Sequence, residues 1–285
     1  MSREYQICSR CVMDTSDKEI EFDSQGVCTY CRHYDKYFRG IYYLDDKLKE
    51  ERLHQLVAKI KRDGRGKEYD CVIGLSGGVD SSYTAYVVKN LGLRPLAIHL
   101  DNGWNTELAV KNIENIVKKL GIDLFTYVID WEEFKALQLA FLKASVVDLE
   151  MISDNAIFAA IYKIAKDKGT KYFLAGTNLA TESVMPPSWF YSVKYDSLNI
   201  KAIYKRFGHG PKLRTYPILN FLEYLDFRYF NKFKFISMLN YVPYDKNKAK
   251  ELLIDKLGWK DYGGKHGESR ITRFYQEYIL PVKFG

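Results

Sequence analysis

The stretch Leu75-Ser76-Gly77-Gly78-Val79-Asp80-Ser81-Ser82 combines the residue types that hold a phosphate. Two adjacent glycines let the backbone approach a ligand closely. The free N–H groups at the start of a following helix, with the hydroxyls of Ser76, Ser81 and Ser82, suit an anion. A P-loop needs a lysine after its last glycine, whereas here Val79 and the acidic Asp80 follow. A carboxylate beside phosphates makes chemical sense if it holds a magnesium ion, so Asp80 is the candidate magnesium ligand and catalytic residue.

Two further groups carry chemistry. Cys8-Ser9-Arg10-Cys11 and Cys28-Thr29-Tyr30-Cys31 gather four thiolates at the spacing of a structural zinc ribbon. Four sulfurs leave no open position, so zinc on Cys8, Cys11, Cys28 and Cys31 would hold structure rather than do chemistry. Paired disulfides and an iron–sulfur cluster are the alternatives, and His33 lies just past Cys31. Near the carboxyl end, Gly263-Gly264-Lys265-His266-Gly267-Glu268-Ser269-Arg270 sets glycines among charges. Such a loop suits phosphate binding or acid–base work, with Lys265 and His266 as its candidates.

These groups need a scaffold. The apolar run Asp70–Gly74 predicts a strand ahead of the phosphate turn, and Tyr83–Leu91 a helix behind it. Strands are expected at Arg94–Leu100, Asp123–Ile129 and Thr170–Ala175, and helices near Thr106–Leu120, Trp131–Leu142 and Asn155–Lys168. The alternation predicts an α/β fold, a doubly wound parallel sheet with ligands outside the carboxyl ends of its strands. His99, Asp101 and Asn102 end one strand and Gly176, Thr177 and Asn178 another, positions that surround a nucleotide in such sheets. Beyond them an irregular polar and aromatic segment with Glu182, Ser183, Trp189 and Lys201 is the candidate substrate site, joined by Arg270. Helices are expected again at Leu222–Leu239 and Lys246–Leu257. The organisation read from this pattern is a ribbon over 1–45, a connector helix over 46–68, an α/β domain over 69–220 and a helical region with a substrate loop over 221–285.

The charged fraction of 28% against 47% hydrophobic residues describes a globular chain. No apolar run approaches the ~20 residues that cross a bilayer, and the amino end has no signal-peptide core. A cytoplasmic protein without membrane insertion is the expectation. The +7 charge suits nucleotide phosphates, nucleic acid or plain solubility and chooses among none of them.

The run Ser76-Gly77-Gly78-Val79-Asp80-Ser81-Ser82 resembles the signature of the PP-loop ATP pyrophosphatases, whose fold is of the adenine nucleotide alpha hydrolase kind. That resemblance implies ATP cleaved between its α and β phosphates, with Gly176-Thr177-Asn178 near the nucleotide. Leu213–Ile218 looks like a late Arg-Pro-Leu strand of some of these enzymes. Together the paired CxxC motifs, the phosphate turn, the segment 176–183 and the tail 263–270 resemble the N-acetyl sugar amidotransferases, the WbpG and PseA type enzymes of bacterial lipopolysaccharide O-antigen and glycan synthesis. The resemblance covers nearly the whole chain, although members of that family usually continue past Gly285.

It implies conversion of an acetamido group on a nucleotide-linked sugar to acetamidino, with ATP, Mg2+ and ammonia as reactants and Zn2+ in the ribbon. The chain's fifth cysteine, Cys71, opens a buried strand and is no glutaminase nucleophile. The resemblance therefore implies a separate HisH-like glutaminase subunit that supplies ammonia. Two alternatives remain: a zinc-containing PP-loop tRNA thiolase, which the shortage of cysteines disfavours, and a non-enzymatic zinc-ribbon module that binds nucleic acid.

Overall fold

A computed structural model describes residues 3–40, 44–182, 194–264 and 267–284. At its centre five parallel strands lie in the order β3-β2-β1-β4-β5, where β1 is Cys71–Gly74, β2 Pro95–Asp101, β3 Asp123–Val128, β4 Tyr172–Ala175 and β5 Lys234–Ser237. The chain runs outward from β1 through β2 to β3, then returns to the other side of β1 for β4. This reversal between β1 and β4 is where doubly wound sheets open a ligand crevice.

Alternation along the central strand divides the core. Cys71 and Ile73 face one layer of helices: α1 (Asp46–Asp63), α2 (Val79–Asn90), α3 (Glu107–Leu120) and α7 (Lys246–Leu257). Val72 faces the other, where α5 (Met151–Asp167) packs Ala159, Ala160 and Ile164 against Leu96, Ile98 and Phe173. A third apolar cluster joins α4 (Trp131–Ala144), α5 and α6 (Ser197–Phe207) around Phe134, Phe141 and Ile152. The helix starts are chemically specified: Asp45, Thr106, Asp130, Asp196 and Asp245 each accept from a backbone N–H of the first turn.

Three expectations need correction. The stretch Leu222–Leu239 is no continuous helix: a short helix at Phe221–Leu225 passes through a π-helical turn, and β5 then pairs with β4. The alternation Phe233-Lys234-Phe235-Ile236 wins because Phe235 packs on Phe173, a contact across the sheet that helical spacing cannot supply. Lys201 lies on the regular helix α6 rather than in an irregular loop. Leu213–Ile218 forms no strand; Glu133 Oε2 accepts from the N–H groups of Arg214, Thr215 and Tyr216 at 2.8, 2.8 and 3.1 Å, which occupies the donors a ladder would use.

In the amino-terminal ribbon the four cysteine ligand atoms lie within 4.8 Å of one another, with Cys8 Sγ 4.0 Å from Cys31 Sγ and Cys11 Sγ 3.7 Å from Cys28 Sγ. Tetrahedral zinc with ~2.3 Å bonds requires sulfurs roughly 3.8 Å apart, so the set fits that ion. No disulfide joins them. Among the described residues no helix is long and apolar enough to cross a membrane.

Candidate active site

The phosphate turn leaves the carboxyl end of β1 and becomes the first turn of α2. Gly77 has φ +83°, a left-handed conformation, and a Cβ there would stand 2.8 Å from the Ala109 carbonyl oxygen. Its own carbonyl accepts from Trp259 Nε1 at 2.7 Å and from the Tyr262 hydroxyl at 3.0 Å. Ser81 Oγ donates to the Gly78 carbonyl at 3.1 Å and lies 3.1 Å from Ser76 Oγ, which accepts from Gly78 N–H at 3.3 Å. The turn is thus closed on itself and bolted to segments far along the chain. Ser82 is fully buried and its hydroxyl has no partner among the described residues.

The β4 loop closes the other side. A Cβ on Gly176 would lie 2.9 Å from the Asp80 carbonyl carbon and 3.0 Å from Ser81 N, so this loop and the start of α2 touch through backbone alone. Thr177 Oγ1 meets Ser237 Oγ at 2.8 Å, and the buried Asn178 accepts from Thr181 N–H at 2.9 Å. Asn178 therefore shapes the loop that carries Glu182.

Asp80 faces two groups that spacing alone does not reveal. The Tyr244 hydroxyl donates to Asp80 Oδ1, and Lys246 Nζ is 3.7 Å from Oδ2. Burial and the Asp80 bond together raise the Tyr244 pKa, so its proton stays on. Hard carboxylate oxygens suit magnesium, and Lys246 is the ammonium that the ion would have to displace from Oδ2.

On β2, His99 is buried and its pKa falls below the ordinary 6.5 through loss of hydration. Its Nδ1 lies 3.0 Å from the Leu75 carbonyl, which can only accept, so the proton sits on Nδ1. The Asn105 amide then donates to His99 Nε2 at 3.2 Å and to Asp101 Oδ1 at 3.2 Å. His99 and Asp101 thus belong to a hydrogen-bond network that ties the end of β1 to the loop after β2.

The charged tail reaches the same place. Thr106 N–H donates to the Glu268 carbonyl at 3.1 Å, Thr106 Oγ1 to the Gly267 carbonyl at 3.1 Å, and Arg270 N–H to the Trp104 carbonyl at 3.1 Å. Glu268 Oε1 would be 3.5 Å from a Cβ on Gly78, so a carboxylate hangs over the turn. Lys265, His266, Ser183 and Trp189 lie outside the described residues. Tyr244, Lys246, Trp259 and Tyr262 are the site residues that sequence reading missed, and Glu268 stood in the charged tail without a role of its own; a polar residue beside an aromatic in a late loop is too common a signal to single them out.

A glycine turn at the reversal of a parallel sheet, with a helix start behind it and an acid where a P-loop has lysine, defines the nucleotide site of a PP-loop ATP pyrophosphatase. Residues 50–208 match the NAD synthase family profile, and the chain belongs to that family. It is similar to the glutamine-hydrolyzing GMP synthase of Pyrobaculum aerophilum, 31% identical over 108 residues, which is 37% of this chain and 20% of that protein. A tRNA(Ile)-lysidine synthase of Chlamydia pneumoniae is 33% identical over 64 residues, 22% of this chain and 20% of that one. The matched stretch thus spans a fifth of the length of each of these two relatives. Among solved structures, the NH3-dependent NAD synthetase from Campylobacter jejuni aligns over 84% of this chain and 97% of its own, at 15% identity and a TM-score of 0.37.

Proposed function

We propose that the protein is an ATP-dependent N-acetyl sugar amidotransferase, converting an acetamido group of a nucleotide-linked sugar to acetamidino in bacterial surface-glycan synthesis, in the cytoplasm. An amide carbon resists ammonia because its oxygen leaves poorly. The amide oxygen therefore attacks the α-phosphorus of ATP and pyrophosphate departs. Ammonia then adds to the carbon, and AMP leaves carrying the former amide oxygen. Each step needs the nucleotide, the amide and ammonia to meet at one point.

The observation that carries this reading is the convergence just described: the tail segment 267–270 is hydrogen-bonded across the loop that follows β2, with Glu268 over Gly78. The phosphate turn, the described residues 176–182 and the tail 267–270 thus meet at one end of the sheet. In the proposed reaction the backbone N–H groups at the start of α2 hold the departing pyrophosphate. Asp80 would hold magnesium, which would neutralise charge on that pyrophosphate. Arg270 and Lys201 contact the sugar nucleotide, with Glu182, Ser183 and Trp189, while Lys265 or His266 moves a proton. Cys71 is fully buried and its thiol pKa is raised by burial, which supports an external ammonia source, a HisH-like glutaminase subunit.

The likeness to tRNA(Ile)-lysidine synthase favours a second reading, an RNA-modifying enzyme that activates a base carbonyl. Mass spectrometry separates the two. The protein is incubated with ATP, magnesium, ammonium and a panel of UDP- and CMP-linked diacetamido sugars. Exchange of one sugar oxygen for NH, with AMP and pyrophosphate formed, is the expected result. Unchanged sugars, with AMP released only when tRNA is added, would overturn it.

A further inference from the structure

We propose that a lysine-lined groove between α6 and the segment 211–218 holds the diphosphate of the sugar nucleotide, apart from the ATP turn. This assignment rests on the amidotransferase reading above. The groove encloses about 310 Å³ and is lined by Lys201, Tyr204, Lys205, Lys212, Leu213 and Tyr216. That volume is at the lower end of the ~300–1,000 Å³ typical of ligand sites, suited to a diphosphate and one ring.

Three observations point to an anion. Between Lys201 and Arg214 there are five basic residues and no acidic one. Among the described residues Lys201, Lys205 and Lys212 form no ion pair, whereas Lys166, Lys194 and Lys250 are each paired with aspartates. Lys201 and Lys205 are also four positions apart on one face of α6, where like charges repel unless something neutralises them. Lys205 lies in the last turn, where it complements the helix dipole; Lys201 does not. The nearby carboxylate of Glu133 turns Oε2 to the N–H groups of Arg214, Thr215 and Tyr216, so that oxygen is engaged by backbone rather than by the lysines.

Position and lining agree with a substrate subsite. Thr215, next to the lining residue Tyr216, accepts from Asp130 N–H through Oγ1 at 2.8 Å and from the Tyr127 hydroxyl through its carbonyl at 3.1 Å, which docks the segment 211–218 beyond the carboxyl end of β3. All five strands are parallel, so this is the end that carries the phosphate turn. β3 is two strands from β1, a lateral offset of about 10 Å. The hydroxyls of Tyr204 and Tyr216 are engaged by the Pro211 and Ile152 carbonyls, which fixes both rings as apolar walls for a base or sugar.

The test is equilibrium binding of UDP to the full chain, by calorimetry, with the phosphate turn saturated by a non-hydrolysable ATP analogue. UDP is expected to bind, and the double variant Lys201→Ala/Lys212→Ala to weaken it by about tenfold for each lysine removed. The double variant Lys201→Arg/Lys212→Arg, which keeps both charges, should retain binding. These lysines are exposed, so the variants fold; thermal melts check this. No UDP binding in the presence of the analogue, or equal binding by wild type and alanine variant, overturns the assignment. Selective loss of single-stranded RNA binding in the alanine variant, with UDP unaffected, also overturns it and favours a nucleic-acid groove. Amidination of sugars by a protein whose UDP binding ignores these lysines would leave the amidotransferase reading standing and the groove assignment fallen. UDP binding that needs the lysines, without amidination of any sugar, would reverse that result.

Discussion

The cysteine ribbon and the phosphate turn are built alike and supported differently. In both, backbone N–H groups point at the atoms that define the site. Arg10 and Cys28 donate to Cys8 Sγ at 3.4 and 3.2 Å, and Cys31 to Cys28 Sγ at 3.4 Å; in the turn, Ser76 and Gly78 donate to serine hydroxyls. Around the ribbon, however, the buried apolar cluster consists of Ile20 and three of the cysteines themselves. Around the turn stand Trp259, Tyr262, Ala109 and Gly176, all anchored in the main core or its loops. A site with no core behind it is organised by what it binds, whereas a site welded to a sheet is formed before its ligand arrives.

The largest expected effect follows from the ribbon side. Burial opposes ionisation of Cys8, but the N–H groups of Arg10, Cys28 and Cys11 outweigh it and hold the thiol down to about 6, whereas burial raises the thiols of Cys11 and Cys31, so the four ionise together only around a cation. If the ribbon holds zinc, its removal with a chelator, or Cys28→Ser, should unfold residues 3–40 and forfeit a metal-binding free energy of about 10 kcal/mol, while the sheet stays folded. Amide hydrogen exchange reads both at once. Rapid exchange spreading into β1 and β4 would mean that the two regions fold as one, and the contrast would fail.

Gly77→Ala attacks the turn. Forcing a side chain to φ +83° and to 2.8 Å from the Ala109 carbonyl costs roughly 3 kcal/mol in strain and displacement. The expected result is loss of ATP-dependent activity and a lower melting temperature, with zinc content unchanged. A variant of normal activity would mean that the turn is as pliable as the ribbon. A milder probe is the Gly77 carbonyl. Tyr262→Phe removes one of its two donors and should cost about 1 kcal/mol; Trp259→Phe removes the other. Together they should cost more than the sum, because only the double variant leaves the carbonyl unpaired. Strict additivity in denaturant unfolding would show that water reaches this carbonyl and that the turn is not sealed.

The two regions were also legible to different degrees. Ribbon and turn are local: each declares itself within a few residues, through cysteine spacing or adjacent glycines between a strand and a helix. The parallel sheet was legible for the four strands whose apolar runs end in turns. β5 was not, because the aromatic run from Phe221 to Phe230 resumes at Phe233 after only Asn231 and Lys232, and the left-handed turn at Lys232 and the pairing with β4 that separate strand from helix are not written in the spacing. The partners of Asp80 and Gly77 were hidden for another reason. Tyr244, Trp259 and Tyr262 lie more than 160 positions along the chain from the turn, and no spacing rule reaches that far. His99 was legible as a residue at a strand end but not in its role, since its tautomer depends on Asn105 and the Leu75 carbonyl.

That role gives the smallest and most specific effect. Burial lowers the His99 pKa from 6.5, so the unfolded chain binds the imidazole proton more readily than the folded one. Stability from the neutral ring is therefore fully present above about pH 6.5 and is lost as the pH falls from there through the lower folded value. His99→Asn keeps an amide near the Nδ1 position and cannot titrate. Between pH 7.5 and 5.5 the wild type should lose more of its melting temperature than the variant, even though acid also protonates the ribbon thiolates, because that second loss is common to both. The difference between the two slopes isolates the turn from the ribbon. Parallel slopes would mean that His99 takes up its proton in the folded state as easily as in the unfolded one, and that the carboxyl end of β1 is more open to water than its network of hydrogen bonds implies.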